Sequence, residues 1–497
     1  MNEPKSNITK LVKHSSVYAI GNVSRQLIGF VMLPVYTHYL TPADYGAVGL
    51  LTFAIAIMEP FFGARLGEAM MKFYYEADND AARKATIATA FIVTGSISIG
   101  VAIAAFALRE PASALLFGDS NFGLALGLFS IVFATQGIEH YGLTFIRIQQ
   151  RPVLFVAVSI CKLVVQLVLN IWFVVVLQLG VMGVVLSGVI SAVVFAFILT
   201  LYSFHFSGLT FDASIAKRLL KFSWPLWLGG LAGLYIFSAN RYYLRVFGSL
   251  EQIGLYELAA KFASILGIVF WQPFSQYWDA ERFRVYREKN GKEIFGSVFS
   301  LASAALFIGA LGISLFGHPV VYLISDVQFH AAAPLIPILT LGWLFSCLTI
   351  FMNFFFLVQD KTISITRNQY ITVAVVTVLN FALIPRFGGA GAASALALAL
   401  MAQFALITHS ARKIYDIKPP LATIALTLII CAVAYAIVFS TISTFQIYAQ
   451  LAFAAGIFVL GSGLILSLQL KSATNRRYLT ALLNLLLARI RPHPRTL

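Results

Sequence analysis

The sequence predicts an all-α polytopic membrane protein of fourteen transmembrane helices, built as two pseudo-symmetric six-helix bundles around a central cavity with two extra C-terminal helices. Three observations carry this expectation. Of 497 residues, 59% are hydrophobic and only 11% charged, against about a quarter charged in soluble domains. Fourteen apolar windows recur, each of the roughly 20 residues that a helix needs to cross the hydrocarbon core. The loops between them alternate between basic and non-basic. A lipid-exposed backbone must satisfy its own hydrogen bonds, so windows of this length read as spanning helices, and a soluble core or a β-barrel is excluded.

The first half holds spans near residues 15–38, 46–71, 85–107, 122–146, 152–177 and 181–204. A polar, basic connector near 205–218 leads to spans near 219–245, 252–277, 294–316, 334–357, 362–384 and 388–410. Two further spans, near 420–441 and 446–469, precede a basic tail. The chain thus divides into an N-terminal lobe at 1–208, a second lobe at 209–415, helices 13 and 14 at 416–470 and a cytoplasmic tail at 471–497. Within the tail, the stretch from Thr474 fits either a short amphipathic helix on the inner leaflet or a solvated end.

Lysine and arginine set the orientation, because cytoplasmic loops retain positive charge. Of 35 such residues, 27 lie in the N-terminus, every second loop and the tail. Four lie on the opposite side (Arg109, Arg241, Arg245, Arg386) and four inside spans (Arg25, Arg65, Lys162, Lys261). Both termini are therefore expected in the cytoplasm. The net charge of +15 follows from the same rule, and its scatter over separate segments argues against a nucleic-acid partner. The first apolar segment follows a polar, lysine-bearing start and exceeds the apolar length of a signal peptide, so it is expected to remain as the first span. Cys161, Cys347 and Cys431 sit in apolar helices without CxxC or Cys/His spacing. They read as small core residues, neither metal ligands nor disulfide partners.

The two halves repeat one another. LTPADYGAVGLL from Leu40 aligns with GSLEQIGLYELA from Gly248 at an offset of 208, matching Gly46 with Gly254. Six spans per half give both copies the same orientation, with a pseudo-two-fold axis along the membrane normal. Halves so related can rock around a central cavity.

These stretches carry a resemblance. LPVYTHYLTPADYGAVGLL (Leu33 to Leu51) resembles the first-loop signature of the polysaccharide transporter family. Asn240 to Ile265 is similar to its second-half signature, with Arg241, Gly254, Tyr256 and Lys261 at matching places. Asn240 stands where the family commonly has Asp, which removes an ion partner for Arg241 at the outer rim. The resemblance covers the whole chain and implies the multidrug/oligosaccharidyl-lipid/polysaccharide exporter superfamily. It further implies a flippase in the bacterial cytoplasmic (inner) membrane. Such a protein moves polyprenyl-diphosphate-linked oligosaccharides, such as O-antigen repeat units, to the outer leaflet by alternating access. It also implies lumen-lining cations on spans one, two and eight, matching Arg25, Arg65 and Lys261, and suggests that helices 13 and 14 serve the polyprenyl tail.

The residues agree with an anionic cargo. Ions inside a bilayer are costly, so Arg25, Arg65, Lys162 and Lys261 should face a wet cavity or a partner. Diphosphate suits the arginine fork and the lysine point charge. Four acids in spans, Glu59, Glu68, Glu139 and Glu257, keep structural pairing open: Glu257 and Lys261 are four apart, and Arg65 and Glu68 three apart. Lys162 either joins the lumen or bridges helices, and Arg241 is a further candidate lumen cation for substrate binding. Unpaired, the same glutamates are candidates for coupling to H+ or Na+, and His140 beside Glu139 either relays protons or makes a helix contact. Trp271, Gln272 and Gln276 follow the Lys261 face as candidate sugar contacts, while Trp224 and Trp227 mark a membrane interface. Pro34, Pro60, Pro225 and Pro273 are hinges or static kinks. No P-loop is present, and neither a metal nor an organic cofactor is expected. A monomer is the simplest expectation, with polysaccharide polymerase machinery as a candidate partner. Two alternatives stay open: a multidrug or organic-cation antiporter of the same superfamily, against which the in-span cations count, and a membrane-embedded glycan polymerase or ligase. The outward loops near 108–121 and 317–333 are short for an enzyme.

Overall fold

The computed structural model describes residues 30, 32–58, 66–359, 361–415, 420–441, 446–470 and 475–476, and leaves aside the side chains of 224–229 and 280. Arg25, Glu59, Pro60 and Arg65, most of the first expected span and nearly all of the tail fall outside these residues. Among the described residues every regular element is helical, and ten helices are long and apolar enough to cross a membrane.

The elements are α1 (Leu33–Tyr39), α2 (Pro42–Met58), α3 (Leu66–Glu76), α4 (Asp80–Ala107), α5 (Arg109–Phe117), α6 (Gly123–Ile148), α7 (Pro152–Asn170) and α8 (Gly180–Ser207). They continue as α9 (Ala213–Phe247), α10 (Leu250–Ile265), α11 (Gln272–Tyr286), α12 (Gly291–Ile324), α13 (Leu335–Val358), α14 (Thr362–Arg412), α15 (Leu421–Ser440) and α16 (Ile447–Leu470). Caps start several of them. Asn79 accepts from the Ala82 amide at 2.8 Å ahead of α4, and Asp212 accepts from the Ser214 amide at 2.7 Å ahead of α9. The 51 residues of α14 are two arms divided at Gly388, whose φ of 53° and ψ of −128° are not helical.

Two of the four prolines can be placed fully. Pro34 lies in the first turn of α1, where a missing donor interrupts no helical hydrogen bond. Pro273 follows a π-helical turn at Leu266–Trp271, whose wider hydrogen-bond spacing accommodates the proline within a continuous rod. Backbone helix runs through Pro225.

The helices gather into two compact units. One contains the chain up to Leu258 with Ile324–Ala331 and Gln369–Leu396; the other contains Ala259–Leu323, Ala332–Asn368 and Ala397 onward. In the first, Leu66, Met70, Phe91, Tyr141, Phe145 and Leu219 form a buried cluster that ties α3, α4, α6 and α9 together. In the second, Phe295 is fully buried and meets Trp278 and Phe355 at ring separations of 5.2 Å. Opposite faces stay open to lipid. Ile103, Val153 and Phe197 are more than half exposed, which costs nothing where the surroundings are hydrocarbon. The same reasoning accounts for Cys161, which is exposed on α7 where the sequence suggested a core position; Cys347 is buried and Cys431 intermediate.

Candidate functional site

The second signature folds into a polar constellation of the first unit. α9 and α10 form a hairpin turning at Gly248 and Ser249, and charges at nearly equal distances from that turn meet. Arg241 lies six residues before the end of α9 and Glu257 seven residues after the start of α10. The guanidinium grips the carboxylate as a fork: Nε donates to Oε1 at very short range and Nη2 to Oε2 at 3.2 Å. Its Nη1 donates to the Phe237 carbonyl at 2.7 Å, and the charge sits 5.9 Å over the Tyr256 ring. The two side chains keep only 17% and 15% of their surface exposed. Such a two-pronged pair is strong and directional.

Asn240, one residue earlier, is completely buried. Its amide donates to the Tyr256 hydroxyl at 3.0 Å and to the Ala392 carbonyl at 3.2 Å, and its carbonyl accepts from Asn380 at 3.1 Å. The amide therefore closes a neutral network across α9, α10 and both arms of α14. One turn further, Arg245 Nε donates to the Phe117 carbonyl at 2.5 Å, at the C-terminus of α5, where a helix end favours a cation.

A second hairpin repeats the pattern. Glu139, nine residues before the end of α6, meets Lys162, ten residues after the start of α7, at 2.5 Å. Their exposures are 14% and 26%. Thus two of the candidate cations, Lys162 and Arg241, and two of the candidate coupling acids, Glu139 and Glu257, are engaged with one another. The partner of Glu257 is Arg241 on the neighbouring helix; Lys261 lies half-buried one turn along α10. Glu68 and His140 are exposed, Trp271 is buried against Phe274, and Gln276 is exposed. Same-helix spacing is visible in a sequence, whereas partners across a hairpin are found only by counting outward from the turn in both directions. Among the described residues, no three His, Cys, Asp or Glu side chains gather as a metal site.

The two signature motifs themselves come together. At the start of α2, Thr41 and Asp44 form a reciprocal capping box, each side chain accepting the other's amide at 3.1 Å. At the equivalent start of α10, Ser249 accepts the Gln252 amide at 3.3 Å. Downstream, α2 and α10 cross with Gly46 against Gly254. A Cβ on Gly46 would stand 1.9 Å from the Leu250 carbonyl oxygen, and one on Gly254 would stand 1.9 Å from that of Pro42. Only glycine fits either position. One turn on, a Cβ at Gly49 would lie 2.6 Å from Glu257 Cγ.

The helical fold is one shared with solved membrane transporters. A structure titled lipid II flippase MurJ, inward closed conformation, aligns with a TM-score of 0.73 at 13% identity, over 90% of this chain and 98% of that one. An inward-facing multidrug resistance MATE family transporter aligns at 0.58 with 15% identity, over 80% and 94%. The MATE multidrug transporter DinF-BH aligns at 0.61 with 17% identity, over 82% and 97%. The sequence matches the family described as polysaccharide biosynthesis protein over residues 11–276, and the chain belongs to that family. No curated protein matches it significantly. The three aligned structures are those of a flippase and two multidrug transporters.

Proposed function

We propose that the protein is a flippase that carries a polyprenyl-diphosphate-linked oligosaccharide from the cytoplasmic to the outer leaflet of a bacterial inner membrane by alternating access, with both termini cytoplasmic. The observation that carries this reading is membership of a polysaccharide biosynthesis family by a chain that is a transporter in fold. The basic loops on alternate sides give the orientation. Arg25, Arg65 and Lys261 are the cations assigned to the diphosphate, at the places the family resemblance implies; Lys162 and Arg241 hold carboxylates. In the second unit, a cavity of about 250 Å³ opens between α12, α13 and α15, lined by Phe307, Leu311, Leu344, Leu428, Cys431 and Tyr435. Its apolar walls suit a stretch of isoprenoid.

Membrane potential supplies a driving force without ATP. Each negative charge moved outward gains roughly 2.3 kcal/mol per 100 mV, so a diphosphate bearing about two charges gains roughly twice that. Return of the empty carrier is assigned to a coupled H+ or Na+. Export of organic cations is the second reading, favoured by the likeness to multidrug transporters; the sign of the charge lining the cavity separates the two. The test is the leaflet distribution of lipid-linked glycan in cells lacking the protein and in cells holding Arg25→Ala, Arg65→Ala or Lys261→Ala at normal levels. Accumulation on the inner leaflet in all of them is expected. An unchanged distribution on deletion refutes the flippase reading.

A further inference from the structure

We infer that the crossing of α2 and α10 at Gly46 and Gly254 is the outer gate of this transporter, shut in the present structure, and that Arg241 sets its stability by neutralising Glu257. The inference rests on the alternating-access reading and its orientation.

Reciprocity is the first observation. Gly46 and Gly254 are equivalent positions of the two repeats, and so are Pro42 and Leu250, each four residues before its glycine. The carbonyl of Pro42 enters the hollow at Gly254, and the carbonyl of Leu250 enters the hollow at Gly46, each 1.9 Å from where a Cβ would be. The pseudo-two-fold relation therefore passes between the glycines, where the repeats meet backbone to backbone. Two rods in such contact leave no room for a sugar between them, so a route through this end requires them to part. A further link between the repeats lies at the same end, where Arg245 of α9 holds the Phe117 carbonyl of α5.

Broken symmetry is the second observation. The equivalent of Gly49 in the second repeat is Glu257. The space left by the missing side chain of one repeat receives the stem of the acid from the other, with Cγ 2.6 Å from the Cβ position. A carboxylate enters so confined a junction at least cost when it is neutralised, and Arg241 provides the counter-charge through two hydrogen bonds. Both partners belong to the second repeat, so the pair moves as one body when the gate opens and is then hydrated. Removing Arg241 penalises the closed state, in which the Glu257 side chain is only 15% exposed, far more than the open state, in which water reaches it. The variant therefore shifts the population toward open.

Spin labels report this directly. Tyr39 and Phe247 are another pair related by 208 positions, and both are exposed, at 49% and 39%. The experiment places labels on Tyr39→Cys and Phe247→Cys, with Cys161, Cys347 and Cys431 replaced, and measures their separation by pulsed electron resonance in proteoliposomes. The parent should show mainly the short distance. Gly46→Ala, Gly254→Ala and Arg241→Met should each move most of the population to a longer one, while Gly100→Ala, whose Cβ meets nothing within 4 Å, should not. Arg241→Met adds no bulk at the crossing and decides the matter if the glycine variants fail to fold. Unchanged distances in Gly46→Ala and Arg241→Met overturn the inference. If the labels part as expected while deletion leaves the glycan distribution unaltered, the gate stands and the substrate reading falls.

Discussion

Replacing Lys162 by Met leaves Glu139 without its counter-charge inside the first unit. At the observed 2.5 Å, an effective dielectric of 20 gives a gross attraction of about 7 kcal/mol, most of which is offset by the several kcal/mol needed to dehydrate each ion. The intact pair is thus close to neutral in net terms. Loss of one partner is not, because the remaining ion keeps its dehydration cost and loses the attraction. Buried pairs lose about 3–5 kcal/mol in this way, and because Lys162 is 26% exposed and Glu139 14%, the lower end, about 3 kcal/mol, applies. Glu139→Gln should cost about the same, and the double variant Lys162→Met/Glu139→Gln much less than the two together. Equilibrium unfolding of the detergent-solubilised protein, analysed as a double-mutant cycle, measures this coupling. Single costs below about 1 kcal/mol that simply add are the signature of an exposed ion pair. They would refute the reasoning and return Lys162 to the set of head-group ligands.

Two further outcomes are expected. Asn240→Leu orphans the Tyr256 hydroxyl and the Asn380 amide and should destabilise the protein by about 1–3 kcal/mol, whereas Asn380→Leu in the same background should cost little more; additive losses would show that the network is not shared. Asp212 lies outside the spans, and its carboxyl is held below the usual carboxylate range by the Ser214 hydroxyl and then by the Ile215 and Ser214 amides. A depressed carboxyl contributes stability above its unfolded pKa and loses it as pH falls through the folded value, so amides at the start of α9 should exchange faster below about pH 4. Asp212→Asn retains the cap and should remove that acid dependence.

Much of this organisation was legible in the chain. The apolar windows and the glycine match at an offset of 208 are properties of composition and spacing, and both reflect hard constraints: the thickness of a bilayer and the absence of room for a Cβ. The helices α4, α6, α7 and α8 fall close to the expected spans. The charge partners were less legible. Spacing along one helix nominates Lys261 for Glu257, but the register between helices depends on where the chain turns, and the turn at Gly248 and Ser249 brings Arg241 opposite the acid. Asn240 reads in sequence as a lost ion partner, whereas folding turns it into the donor of a buried amide network through Ala392 and Asn380, 152 and 140 residues away. The π turn ahead of Pro273 has no local signal either, since nothing in LGIVFW differs from ordinary helix.

Both ion pairs join neighbouring helices, with a separation of 23 residues from Glu139 to Lys162 and 16 from Arg241 to Glu257. During synthesis the second member of each pair leaves the ribosome within moments of the first. A charge at the centre of a lone helix resists partition into lipid by roughly 2.5–3.5 kcal/mol, and a helix bearing one would hesitate at the lateral exit of the translocation channel. In each pair the helix that emerges first has its neutralising neighbour in the next segment. The pair can therefore leave the channel as an assembled hairpin, and the charges of the mature transporter need never face lipid one at a time.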